Sequence, residues 1–110
     1  MSTRALIAIR SDGGLFSAVY LHYDGYPDYT GRLLNKFHNT EVQAHHLCAG
    51  VEIRSLNEDT GEPERFSDGR RPWQVDGLDS LLRTALKCDC VYLYVFEDGH
   101  WAVHRVLSPA

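Results

Sequence analysis

Residues 4–10 alternate only weakly, with Ala5, Ile7 and Ile9 on one side and Arg4 and Arg10 among those on the other. That period of two predicts a strand with one wet face. Ser11-Asp12-Gly13-Gly14 supplies positions tolerant of positive φ, the chemistry of a tight hairpin turn. Residues 15–22 return as a second strand, with Leu15, Ser17, Val19 and Leu21 facing one way and Phe16, Ala18, Tyr20 and His22 the other. After Asp24-Gly25 the period changes. Pro27 suits the first position of a helix, and Thr30, Leu33, Leu34 and Phe37 then recur at helical spacing to about His38. Thr40 with Gln43 three residues later forms a capping box for a second helix, which carries Val42, His45, His46 and Leu47 and ends at Gly50.

Residues 51–76 show almost no periodicity. Val51-Glu52-Ile53 fits a short edge strand, and residues 55–74 read as a long irregular loop rich in Gly, Pro, Asp, Glu and Arg, with Trp73 as its anchor on the core. Order returns at Asp76, a good N-cap, followed by Asp79 in the first turn and Leu78, Leu81, Leu82, Ala85 and Leu86 on one helical stripe. Val91, Leu93 and Val95 then alternate with Tyr92, Tyr94 and Phe96, and Asp98-Gly99 predicts a hairpin returning through His100 to Val106. The order ββ-αα-loop-α-ββ predicts a single α+β domain: two hairpins in an antiparallel sheet of about four strands, with the helices packed on one face.

Packing then divides the sheet. Ala5, Ile7, Ile9, Val19, Leu21, Val91, Leu93 and Val95 form an aliphatic face that matches the leucine-rich helices. The opposite face would present Tyr20, His22, Tyr92, Tyr94, Phe96 and His104 as a binding surface, a homodimer interface, or a floor covered by the 55–74 loop.

Composition narrows the classes. The chain has 110 residues, 44% hydrophobic and 24% charged, and no apolar run near the roughly 20 residues of a membrane helix. The start of the chain reads as a strand rather than a signal peptide, so a cytoplasmic location is expected and no membrane partner. A net charge of −4, with basic residues scattered apart from Arg70-Arg71, disfavours duplex nucleic acid. The cysteine count is three, with Cys88 and Cys90 two apart on an expected strand where their side chains diverge, and this argues against a disulfide framework.

The densest chemistry lies in Tyr20-Leu21-His22-Tyr23-Asp24-Gly25-Tyr26-Pro27-Asp28-Tyr29, where a strand meets a turn and the turn meets a helix. His22 with Asp24 and Asp28 could form an imidazole–carboxylate base, but no nucleophile stands in a recognisable motif beside them. The simpler reading makes Asp24-Gly25 the turn and Asp24 or Asp28 a helix cap, with His22 packed on Tyr20 or Tyr26. His45 and Cys48, three apart, could supply two zinc ligands, with His38, His46, Cys88 and Cys90 as further candidates. Helical histidines and buried free cysteines explain the same residues, so no metal and no cofactor is expected. No phosphate-loop signature is present. A nucleotide could still stack on the tyrosine-rich face, with Arg32, Arg70 or Arg71 meeting its phosphates.

The run Leu21-His22-Tyr23-Asp24-Gly25-Tyr26-Pro27-Asp28-Tyr29, followed by Gly31-Arg32-Leu33-Leu34, resembles a pattern in small proteins of bacteriophages and prophages. In that pattern a strand ends in H-[WY]-D-G-Y-P, then an acidic or polar residue, an aromatic, and G-[RK]-[IL]-L. The ending, Val91-Tyr92-Leu93-Tyr94 and then Asp98-Gly99-His100-Trp101, is similar to the same group, whereas residues 51–76 match nothing in it. The resemblance transfers no catalytic residue. It implies a phage accessory protein that acts by binding, either blocking a host defence component such as a CRISPR effector or sequestering a nucleotide signal of host defence; a hydrolytic or metal-dependent enzyme is the remaining alternative. The expected contact residues are Tyr20, His22, Tyr23, Asp24, Tyr26 and Tyr29 at the corner. Arg70, Arg71 and Trp73 join them from the loop, and Tyr92 and Tyr94 from the sheet.

Overall fold

The computed structural model describes residues 3–11 and 13–106, so Met1, Ser2 and Asp12 of the first turn lie outside the described residues. The first hairpin forms as its alternation predicts: β1 (Ala5–Arg10) and β2 (Phe16–Leu21) pair antiparallel, with Ile7 opposite Val19. Gly14 takes φ 84 in the turn and donates its N–H to the Ser11 carbonyl at 2.9 Å. A π-helical turn (Pro27–Gly31) runs straight into α1 (Arg32–Phe37). α2 (Glu41–Cys48) starts on the predicted capping box, with Thr40 and Gln43 each accepting the other's backbone N–H at 3.2 Å. Leu47 is buried as expected, with Ala44 and Cys48 beside it, but Val42 is 79% exposed and His46 faces water.

Residues 53–75 are not an irregular loop. They carry β3 (Ile53–Leu56), β4 (Pro63–Arg65) and β5 (Trp73–Val75), each too short to show a period in sequence. Asn57 builds the β3–β4 turn by accepting the N–H groups of Asp59 and Thr60 at 2.8 and 3.0 Å. Gly61, at φ 72, presses against Phe37, and its carbonyl lies 2.7 Å from His38 Nε2, so the turn is docked on α1. Trp73 anchors as expected, pairing with Ala18 and packing on the core. α3 (Leu78–Lys87) then buries Leu81 and Ala85. Its N-cap is Gly77 rather than Asp76, whose carboxylate accepts the Ser80 hydroxyl at 3.2 Å. β6 (Tyr92–Glu97) and β7 (His100–Arg105) close the chain as the predicted hairpin, with Asp98 and Gly99 both at positive φ.

The α+β class holds, but the sheet is mixed and has seven strands, in the order β4-β3-β2-β1-β6-β7 with β5 also paired to β2. β1 is parallel to β6 and β3 is parallel to β2, so two antiparallel hairpins in a four-stranded sheet do not describe it. The helices cover both faces rather than one. α1 and α2 lie over Ala5, Ile7, Ile9, Val19 and Leu21, and α3 lies over Leu6, Ala8, Phe16 and Ala18.

The register of β1 on β6 overturns the expected aromatic face. Ala5, Ile7 and Ile9 stand beside Tyr92, Tyr94 and Phe96, which places those rings among the aliphatic residues under α1 and α2. Tyr94 and Phe96 are buried, and Leu93 and Val95 belong to the α3 side instead. Parallel neighbours in register share a face, whereas the expected division assumed that the two hairpins met in the opposite phase.

Arg65 ties β4 to the end of α2. Half-buried, it donates from Nη1 to the Val51 carbonyl at 2.6 Å and from Nη2 to the Leu47 carbonyl at 2.9 Å. Arg65→Ala leaves both acceptors without this donor and is expected to cost about 2 kcal/mol, read from the midpoint of urea unfolding.

Candidate functional site

The corner after β2 is built from backbone locks. His22 and Tyr23 extend β2 by donating their N–H groups to the carbonyls of Ile53 and Arg54, each at 2.9 Å. Asp24 then turns the chain at φ 61, a left-handed conformation that aspartate tolerates better than most residues. Gly25 donates to the Thr3 carbonyl at 2.8 Å, and a Cβ at this position would sit 2.8 Å from that same oxygen. No side chain caps the π-helical turn. Instead the Thr30 hydroxyl reaches back to donate to the Asp24 carbonyl at 2.6 Å. Neither Asp24 nor Asp28 is the cap that the sequence offered.

Tyr94 supplies the floor. Its hydroxyl donates to the Gly25 carbonyl at 2.7 Å, its ring lies against Gly31, and burial pushes its pKa up, so it stays a protonated donor. It therefore supports the corner and touches no solvent. Above it, Tyr23 and Tyr26 are 39% and 40% exposed, and the Arg54 guanidinium lies 5.6 Å from the centre of the Tyr23 ring. Tyr29 is half-buried, 6.1 Å from Tyr26 between ring centres, and donates its hydroxyl to the Leu56 carbonyl at 2.7 Å. Burial raises the Tyr29 pKa, and the nearby carboxylates of Asp24 and Glu58 add to the rise. Beside Tyr29 a groove of about 360 Å³ carries Glu58, Glu62 and Glu64 along the β3–β4 hairpin.

His22 leaves the corner in the other direction. Its Nε2 stands 3.6 Å from a Glu52 carboxylate oxygen, and its ring meets Tyr20 edge-on at 5.2 Å and Phe66 at 5.4 Å. The carboxylate partner is thus Glu52, not Asp24 or Asp28, and among the described residues no hydroxyl or thiol nucleophile hydrogen-bonds to the imidazole. His22, Glu52 and Tyr20 line a second cleft, of about 240 Å³, with Arg4, Arg70, Lys87 and Cys88.

The expected contact residues therefore separate. Tyr23, Asp24, Tyr26 and Tyr29 share the corner, and Tyr20, His22 and Arg70 share the second cleft. Arg71 is exposed and outside that cleft, while Trp73 is half-buried beneath the Arg70 guanidinium at 5.1 Å. Tyr92 packs on the core under α1 and α2, with Arg105 over its ring at 5.4 Å. His104 pairs with Leu93 in the β6–β7 ladder. Sequence reasoning missed Arg4, Glu52 and Lys87, and it missed the glutamates of the β3–β4 hairpin. Their positions are scattered along the chain, and only the fold assembles them.

The zinc candidates scatter. Cys48 is fully buried with its thiol toward the Ile7 carbonyl, His45 stands 3.7 Å from Glu41, and His38 holds Gly61. Burial also pushes the Cys90 thiol up to about 12. Among the described residues no three His, Cys, Asp or Glu side chains are grouped to hold a metal ion. No helix among the described residues is long and apolar enough to cross a membrane. No protein-family model, curated protein or solved structure matches the chain.

Proposed function

We propose that the chain is a non-enzymatic, phage-type accessory protein that binds and inhibits a host protein, using the Tyr23–Tyr26–Tyr29 corner and the glutamate groove beside it. The observation that carries this reading is the presentation of Tyr23 and Tyr26: both rings are about two-fifths exposed on a backbone fastened by Thr3, Thr30 and Tyr94. Large rings held on a rigid frame lose little entropy on docking, which is why tyrosines dominate binding hot spots. Asp24, Asp28, Glu58, Glu62 and Glu64 around them select a partner with a basic surface. A component of a CRISPR-type defence complex fits, because such complexes hold nucleic acid in positively charged channels.

Capture from host lysate on immobilised protein tests the reading. The expected partner is basic and salt-sensitive, and it binds on the order of tenfold more weakly to Tyr26→Ala and to Glu62→Lys. A partner held equally by wild type and both variants, or capture of no basic protein, would overturn it.

A further inference from the structure

We infer that the cleft between the end of β2 and the end of α3 is a binding site for a dianionic phosphate group, free or carried on a small molecule. Arg4 precedes β1, His22 follows β2, Arg70 precedes β5 and Lys87 ends α3, yet all four line one cleft of about 240 Å³. This is a concentration of positive charge in a chain whose net charge is −4. The site uses none of the residues proposed to hold a protein partner.

The cations are not spent on carboxylates, although Arg70 Nη1 lies 4.0 Å from the Cys88 sulfur. Among the described residues, none of Arg4, Arg70 and Lys87 has a carboxylate within 4.0 Å, whereas Arg10, Arg32 and Arg54 each have one. The one carboxylate lining the cleft, Glu52, is turned to other work: one oxygen accepts the Arg70 backbone N–H at 3.2 Å and the other lies 3.6 Å from His22. Two nitrogens of side chains that line the cleft, Arg4 Nε and His22 Nδ1, are withdrawn from water and have no hydrogen-bond partner among the described residues. Such nitrogens are normally paired, so these two side chains hold hydrogen-bonding capacity that the described residues do not use.

Three further features suit phosphate. The Arg70 guanidinium is backed by the Trp73 ring at 5.1 Å, which holds its flat fork over the cleft. The Tyr20 phenol, pushed up to about 12 chiefly by burial, stays protonated and can donate rather than repel. Lys87 sits in the last turn of α3, so part of its charge balances the helix-end carbonyls and the two guanidinium groups carry the larger share of the binding. The volume admits a phosphate with a small carrier.

Titration of the ¹⁵N-labelled protein with inorganic phosphate, and separately with adenosine 5′-monophosphate, tests the site against sodium chloride at matched ionic strength. The expected result is saturable shifts of the amides of Leu21, His22, Arg70 and Cys88, half-complete below about 10 mM. Arg70→Gln and Lys87→Gln change exposed side chains, so both should fold. Arg70→Gln should weaken binding on the order of tenfold and Lys87→Gln by less, while Tyr26→Ala leaves it unchanged. Tighter binding of the nucleotide than of phosphate identifies a carried group, and equal binding identifies the free ion. Shifts that chloride reproduces, or that survive in the Arg70→Gln Lys87→Gln double variant, overturn the assignment.

Discussion

Tyr94→Ala is expected to lower the unfolding free energy by about 3–5 kcal/mol, the range for deleting a buried aromatic ring. In a chain of 110 residues this corresponds to a fall in Tm on the order of 10–20 °C. The loss has two parts. The ring fills the space between the sheet and the π-helical turn at Gly31, and the hydroxyl holds the Gly25 carbonyl at 2.7 Å. Tyr94→Phe keeps the first and removes the second, so it should cost only about 1–2 kcal/mol. Thermal unfolding of the two variants separates the contributions. A Tyr94→Ala protein as stable as wild type would show that the corner does not rest on this ring.

Gly25→Ala should destabilise by about 2–4 kcal/mol, through collision rather than through φ. The added methyl would lie 2.8 Å from the Thr3 carbonyl oxygen and 2.9 Å from the Ala5 Cβ, and neither can rotate away. Relief requires the corner to lift, which stretches both the Gly25-to-Thr3 and the Tyr94-to-Gly25 hydrogen bonds. Gly13, with no atom of the described residues beyond its chain neighbours within 4 Å of the corresponding position, is the control, and its alanine variant should unfold with wild type. Because Gly25→Ala and Tyr94→Phe damage the same bond, the double variant should lose less than the two single losses added together. Additive losses in urea unfolding would mean that the two act separately.

The contrast between legible and illegible parts of the chain has a physical pattern. Most features decided within a few residues read correctly, among them the two hairpins, the Thr40–Gln43 capping box and Pro27 at the start of a helix, while the caps offered at Asp76 and at Asp24 or Asp28 did not. Features decided by pairing across the chain did not. Alternation tells that a strand has two faces, but not which phase meets which, and the Ile7–Tyr94 neighbourhood depends on that phase alone. One clue was present. Ala5-Leu6-Ile7-Ala8-Ile9 is an unbroken apolar run, as befits a strand buried on both faces, and all five residues are buried. Of the candidate site, the tyrosine corner was visible because it is contiguous in sequence. The second cleft was visible only in part, through Tyr20, His22 and Arg70, since Arg4, Glu52 and Lys87 share no spacing with them.

The parallel join of β1 to β6 places the fifth residue beside the ninety-second. Contacts so distant along the chain slow folding, because a large loop must close before they form. During synthesis the first hairpin emerges early, yet one long edge of β1 keeps its hydrogen-bonding groups unmatched until residues 92–96 have left the ribosome. The tyrosine corner inherits that delay, since its floor, Tyr94, arrives with the same late strand.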